Sequence, residues 1–145
     1  MPFRFPRTDM VVAGVMLAAV AAWFAPASSD AEQDQIDGVV TARLASVRAR
    51  IDRYRHDHGG RAPDFEADGW GTLLDPTTLL GGRYLDVAPV NPAFSGVDKT
   101  SIIVVHDAAA RGSPRAAWVW NVPKQAIYAS AFDETENRAT RRLTD

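Results

Sequence analysis

The fold of this chain is limited first by an uncharged apolar run over residues 10–25. It begins directly after a lone acid, Asp9, and ends at Pro26. As a helix the run would rise ~24 Å at about 1.5 Å per residue. That is slightly short of a hydrocarbon core of roughly 30 Å, for which about 17–25 residues are needed. Ala27 and the flanking side chains can make up part of the gap. Arg4 and Arg7 precede the run, and Asp30, Glu32, Asp34 and Asp37 follow it. Positive charge on the N-terminal side places that end in the cytoplasm and the remainder outside. The expectation is a single-pass membrane protein with an extracytoplasmic C-terminal domain and Trp23 as an interfacial anchor. A cleaved signal peptide is the competing reading, with small residues at 25–27 or 27–29 to serve as the cut site.

The chain then continues into a second helical stretch of different character. From residue 31 to residue 58, apolar side chains recur at Ile36, Val40, Leu44, Val47, Ile51 and Tyr54. Steps of three and four trace one face of an amphipathic helix. Arg43, Arg48, Arg50, Arg53 and Arg55 fall mostly on other faces and read as its solvated side. Asp30 suits an N-cap if the helix breaks near Pro26. Gly59-Gly60 supplies a stop, and Gly38 is a weak point inside. His56 and His58 are two residues apart and do not share a helix face, so they make a poor chelate.

Asp9 at the mouth of an apolar helix is costly without a partner, and Pro26 would bend a helix at that point. Phe5, Asp9 and Pro26, with Thr8 and the Met10-Val-Val that follows, resemble the start of the type IV pilin and type II secretion pseudopilin family. The chain departs from the family pattern at Arg4, where the family has Gly before the cut, at Asp9, where the acid is usually Glu, and at Pro6. A cut between Arg4 and Phe5 and an uncut signal anchor therefore both stand. Further on, Tyr54, Gly59-Gly60 and Pro63 resemble the helix exit of the major, G-type pseudopilin. So do Trp70-Gly-Thr-Leu-Leu, Gly82-Arg-Tyr84-Leu85 and Pro89-Val-Asn91-Pro92 in their order along the chain.

That resemblance implies an α+β, pilin-like fold: a long N-terminal helix, transmembrane in its first half, packed on a small antiparallel sheet. It implies a structural subunit of a type II secretion or related pilus-like filament that supports protein export, sited in the inner membrane. The implied partners are other pilin-like subunits through the N-terminal helix, an inner-membrane assembly platform and a prepilin peptidase. Arg4, Phe5, Asp9 and Pro26 would be the processing and assembly residues. Asp9 would be neutralised by the free N-terminal amine of a neighbouring subunit. Major pseudopilins bind calcium through a C-terminal loop, and Asp133, Glu134 and Glu136 are the acidic cluster in that region here. They match no ligand set residue by residue, and the solvated acidic turn is the favoured reading. The alternative function is an extracytoplasmic binding domain, soluble or membrane-anchored, behind a signal peptide.

The C-terminal region reads as β-rich. Residues 59–100 are dense in Gly, Pro, Asn and Asp, with one short helix near residues 71–75 and a further turn near 76–80. Residues 100–106 are a compact β run. Residues 116–122 and 125–131 flank Pro123-Lys124 as a hairpin. A three-stranded antiparallel sheet follows, with Trp118 and Trp120 pointing together toward the helix stripe. The expected divisions are a leader and helix over 1–30, a pilin-like domain over 31–132 and a loose polar tail over 133–145.

Composition narrows the function classes. The chain has 145 residues and 46% hydrophobic content, enough for one small domain with a core. A net charge of -2 offers no basic excess to draw it onto nucleic acid. With no cysteine there is neither a disulfide framework nor a thiolate metal site. No G-x-S-x-G, P-loop or H-E-x-x-H motif occurs, and no catalytic site is expected. His106-Asp107 with a serine could be drawn as a triad but reads as ordinary surface chemistry.

Overall fold

The computed structural model describes the backbone of residues 7–75 and 83–140, and the side chains of residues 29–75 and 83–140. The chain divides into two compact units, Met1–Gln35 and Ile36–Asp145. A single helix, α1 (Arg7–Asp57), contributes to both. In the first unit, the described side chains 29–35 are mostly exposed and polar. Asp30 lies inside α1 rather than at its N-cap.

Within the second unit, α1 buries the expected stripe. Val40, Leu44, Val47 and Ile51 are buried, and Ile36 and Tyr54 pack partly buried against the same core. The helix stops by a Schellman motif. Gly60 N–H donates to Arg55 O at 2.7 Å, and Gly59 and Gly60 have φ of 63° and 87°. Those backbone angles suit glycine because it has no Cβ to clash.

Two one-turn helices follow, α2 (Phe65–Asp68) and α3 (Gly71–Leu74). α3 matches the short helix expected near residues 71–75, and α2 forms in a stretch whose composition suggests loop. Its local signal is Asp64, whose Oδ1 accepts the Ala67 N–H at 3.0 Å and caps the turn. The turn expected near 76–80 lies outside the described residues.

The main sheet has three strands in the order β1 (Ile102–Val105), β2 (Trp118–Asn121), β3 (Ala126–Ala129). β2 and β3 form the expected hairpin across Pro123-Lys124, with Trp118 opposite Ala129 and Asn121 opposite Ala126. β1 corrects the expectation of an all-antiparallel sheet: it pairs parallel to β2, Ile102 opposite Trp118. A parallel neighbour needs a crossover of about a dozen residues. Residues 106–117 supply it without a helix. The fold class is α+β, one long helix with a small mixed sheet.

The core sits between the helix stripe and one face of this sheet. Trp118, Trp120, Ile127 and Ala129 meet the stripe, joined by Phe65, Trp70, Leu73, Tyr84 and Phe94. Phe65 stands edge-on to Trp70 at 5.6 Å between centroids and tilted against Trp120 at 4.9 Å. The indoles also find acceptors: Trp118 Nε1 donates to Pro89 O at 2.8 Å and Trp70 Nε1 to Thr100 O at 2.7 Å. Buried Trp is favourable only when that N–H is satisfied.

After β3 the chain was expected to loosen. Instead β4 (Phe132–Asp133) and β5 (Arg138–Ala139) pair antiparallel as a second, two-stranded sheet.

The expected inner-membrane location is overturned. Among the described residues, no helix is long and apolar enough to cross a membrane. From Ser29 onward α1 mixes charge with apolar residues at a spacing that leaves only one face apolar, so it suits a domain core rather than lipid. The apolar run over 10–25 lies outside the described side chains.

Candidate assembly surface

Arg4 and Phe5 lie outside the described residues. Asp9 and Pro26 fall within α1, but outside the described side chains. The described geometry therefore concerns the C-terminal part of the helix and what it holds.

The arginine face is more than a solvated side. The Arg43 guanidinium donates to Val90 O and ties the helix to the loop over residues 85–97. Arg48 Nη2 donates to Ile127 O at 2.9 Å and pairs with Glu134 Oε1 at 2.9 Å. It spans β3 and the β4–β5 loop. Arg53 stands 3.9 Å from Asp57 one turn on. Arg50 fits the solvated reading and is exposed.

Residues 54–58 make a polar and aromatic clamp at the helix end. Tyr84 Oη donates to Asp57 Oδ2 at 2.9 Å. Tyr54 stacks on His58 at 3.9 Å and meets Tyr84 edge-on at 5.2 Å. His58 Nδ1 lies 2.9 Å from Tyr54 O. Burial first, and then the Asp57 carboxylate, pushes the Tyr84 phenol above its ordinary 10.0.

The last hairpin is held to α1 by side chains distant in sequence. Asp37, 7% exposed, accepts the Ala139 N–H at 2.7 Å. Thr41 Oγ1 reaches the Asn137 side-chain amide at 2.8 Å. Inside the loop, Asp133 Oδ1 accepts from Thr135 Oγ1 at 2.6 Å and from Thr135 N–H at 2.8 Å. These bonds, the hydroxyl's first, hold the Asp133 carboxyl below its usual range. Glu134 is engaged by Arg48 and Asp133 by its own turn, while Glu136 is exposed. Among the described residues, no three His, Asp or Glu side chains group to hold a metal ion.

A cavity of about 340 Å³ opens beside this loop, lined by Arg111, Tyr128, Phe132, Asp133, Thr135 and Thr140. Arg48 and Arg111 stand 5.9 and 5.8 Å from the Tyr128 ring centre. His106 Nε2 lies 4.0 Å from Glu66 Oε1, and Asp107 Oδ1 caps the Ala109 N–H at 2.9 Å.

The residue that sequence reasoning missed is Asn91. It is wholly buried, and its Nδ2 donates to Ala117 O and Ser130 O, both at 2.8 Å. Its Oδ1 accepts the Ala93 N–H at 3.1 Å. One amide thus joins the proline-rich loop to the residue before β2 and the residue after β3. A lone Asn between two prolines reads locally as turn chemistry, which gives no sign of this role.

Comparison with known proteins leaves the geometry to stand by itself: no protein-family model, no curated protein and no solved structure matches the chain.

Proposed function

We propose that this chain is a pseudopilin-like structural subunit of a type II secretion or related type IV pilus-like filament that supports protein export. The observation that carries the reading is a long helix whose apolar stripe, from Ile36 to Tyr54, seats a small sheet and ends in a Tyr, a short polar run and a Gly-Gly stop. The pilin-like register of Phe5, Asp9 and Pro26 supplies the other half of the argument. In this reading, the helices of neighbouring subunits pack into the filament core and the sheet domains form its surface. The Asp9 carboxylate takes a neighbour's N-terminal amine as its partner, which sets the register of assembly. A charge in apolar surroundings is stable only when paired in this way. The partners are other pilin-like subunits, an assembly platform and a prepilin peptidase acting between Arg4 and Phe5.

Intact mass of the chain purified from its own cell tests this. A mature protein that begins at Phe5 and loses co-assembly with pilin-like subunits on Asp9→Ala is the expected result. A mature N-terminus between residues 27 and 30 removes Asp9 with the whole apolar run and ends the proposal in favour of an exported binding domain.

A further inference from the structure

Ala131 stands between two bodies held by separate sets of bonds. On one side, Ser130 is fixed to the main sheet. Its N–H donates to Ala117 O at 2.9 Å, its O accepts from Asn91 at 2.8 Å, and its Oγ accepts the Ser113 N–H at 3.0 Å. On the other side, Phe132 and Asp133 pair with Ala139 and Arg138, and the Thr140 N–H closes the hairpin onto Ala131 O at 2.8 Å. That oxygen lies on the hairpin side of the Ala131 N–Cα bond, so rotation about the bond leaves the closure intact. Ala131 has φ of 58°, a left-handed angle that is disfavoured for a residue with a Cβ. Turning it back to an extended angle relieves that strain and lines up β3 and β4 as one strand over residues 126–133.

The seat of the hairpin on α1 is made mainly of side-chain bonds. Asp37 accepts the Ala139 N–H, Thr41 bonds the Asn137 side chain, and Arg48 pairs with Glu134. Phe132 adds a partly buried contact with the core. A hairpin extended at Ala131 leaves all of these groups on α1 without partners at once. The segment that fits the vacated seat is shown by the structure itself: the same hairpin from another copy. A lone two-stranded hairpin is marginally stable at best in water, so a released one needs such a seat. Short connections under strain favour exchange of an element between copies. We infer that two copies of this chain exchange their β4–β5 hairpins about Ala131, each hairpin seating on Asp37, Thr41 and Arg48 of the other copy.

The exchange uses residues 37–140 and leaves the role proposed for Asp9 untouched, so either can fail alone. The chain has no native cysteine, and single cysteines therefore report contacts cleanly. Thr41→Cys and Asn137→Cys are made as separate full-length variants, mixed in equal amounts, unfolded and refolded together, and treated with a short thiol-to-thiol cross-linker. Each copy carries one thiol, so no linkage can form within a copy. The side chains at 41 and 137 meet at 2.8 Å in the seated hairpin. Exchange should therefore form the 41–137 heterodimer roughly tenfold faster than the 41–41 or 137–137 homodimers. A heterodimer no faster than the homodimers would mean that each hairpin stays on its own helix, and would overturn the inference.

Ala131→Gly tests the hinge. Glycine takes the left-handed angle without a Cβ clash, so the strain that favours exchange disappears, twice in each dimer. With Ala131→Gly added to both cysteine variants, the heterodimer yield should fall on the order of tenfold. An unchanged yield would remove Ala131 as the hinge and the inference with it. If either cysteine variant fails to fold, sedimentation of the chain with its natural residues at 41 and 137 decides. A dimer that Ala131→Gly converts to monomer supports the exchange; no dimer, or a dimer that the substitution leaves unchanged, overturns it.

Discussion

The two sheets are attached to the same helix by opposite chemistry. The three-stranded sheet meets α1 through Trp118, Trp120 and Ile127 on an apolar stripe. The β4–β5 hairpin meets α1 mainly through the polar side chains Asp37, Thr41 and Arg48, with Phe132 packed partly buried against the core. Apolar burial stabilises in proportion to area, about 25 cal/mol per Å², and tolerates small shifts. A hydrogen bond to a buried carboxylate is directional and contributes about 1.5–3 kcal/mol net. The Arg48–Glu134 pair is partly exposed and is worth about 0–1 kcal/mol. The large sheet should therefore unfold only with the whole domain. The hairpin should open by itself, with Asp37 as its main latch.

Trp118→Ala strikes the apolar attachment hardest. Trp118 is fully buried, and its loss should cost about 3–5 kcal/mol. That is a large share of the ~5–15 kcal/mol of a typical domain. The midpoint of urea unfolding should fall accordingly; an unchanged midpoint would mean the tryptophan face is not the core.

Asn91→Ala comes next, at about 1–3 kcal/mol in the same assay. Ala117 O keeps the Ser130 N–H as a donor, so the stripped groups are Ser130 O and the Ala93 N–H. Asp37→Ala should cost about as much but act locally. The Ala139 amide should exchange with solvent much faster while the amides of β2 keep their protection. Equal loss of protection in both sheets would erase the distinction between them.

A pH titration probes the polar chemistry at the helix end. The Tyr84 phenol sits above its ordinary 10.0, so the folded state holds that proton more tightly than the unfolded chain. Its stabilising share is complete below pH ~10 and is lost as pH rises through the folded value. Tyr84→Phe should lose the Asp57 hydrogen bond and flatten the fall in stability above pH ~10. A variant that declines as steeply as the parent would assign that fall to other groups. The smallest expected effect is a gain. Gly38 is exposed in α1, with nothing within 4 Å of the place an added methyl would take. Gly38→Ala should add about 0.5–1 kcal/mol.

What local chemistry encodes was legible along the chain. The period of Ile36, Val40, Leu44, Val47, Ile51 and Tyr54 marks the buried face because a helix turns every 3.6 residues. Gly59-Gly60 marks the stop because only glycine takes both left-handed angles without strain. Pro123-Lys124 between two apolar runs marks the hairpin. Each signal lies within a few residues of the structure it specifies.

Other features were settled by contacts between distant segments. β1 could pair either way by its sequence; the crossover over residues 106–117 and the face shared with Trp118 and Trp120 set it parallel. The β4–β5 hairpin reads as a loose polar tail because its latch, Asp37, lies on a distant helix. Closing such long loops adds little entropy cost with length, so pairings across the whole chain compete on nearly equal terms. Side-chain fit and unsatisfied backbone groups choose among them, and neither exists until the fold has formed.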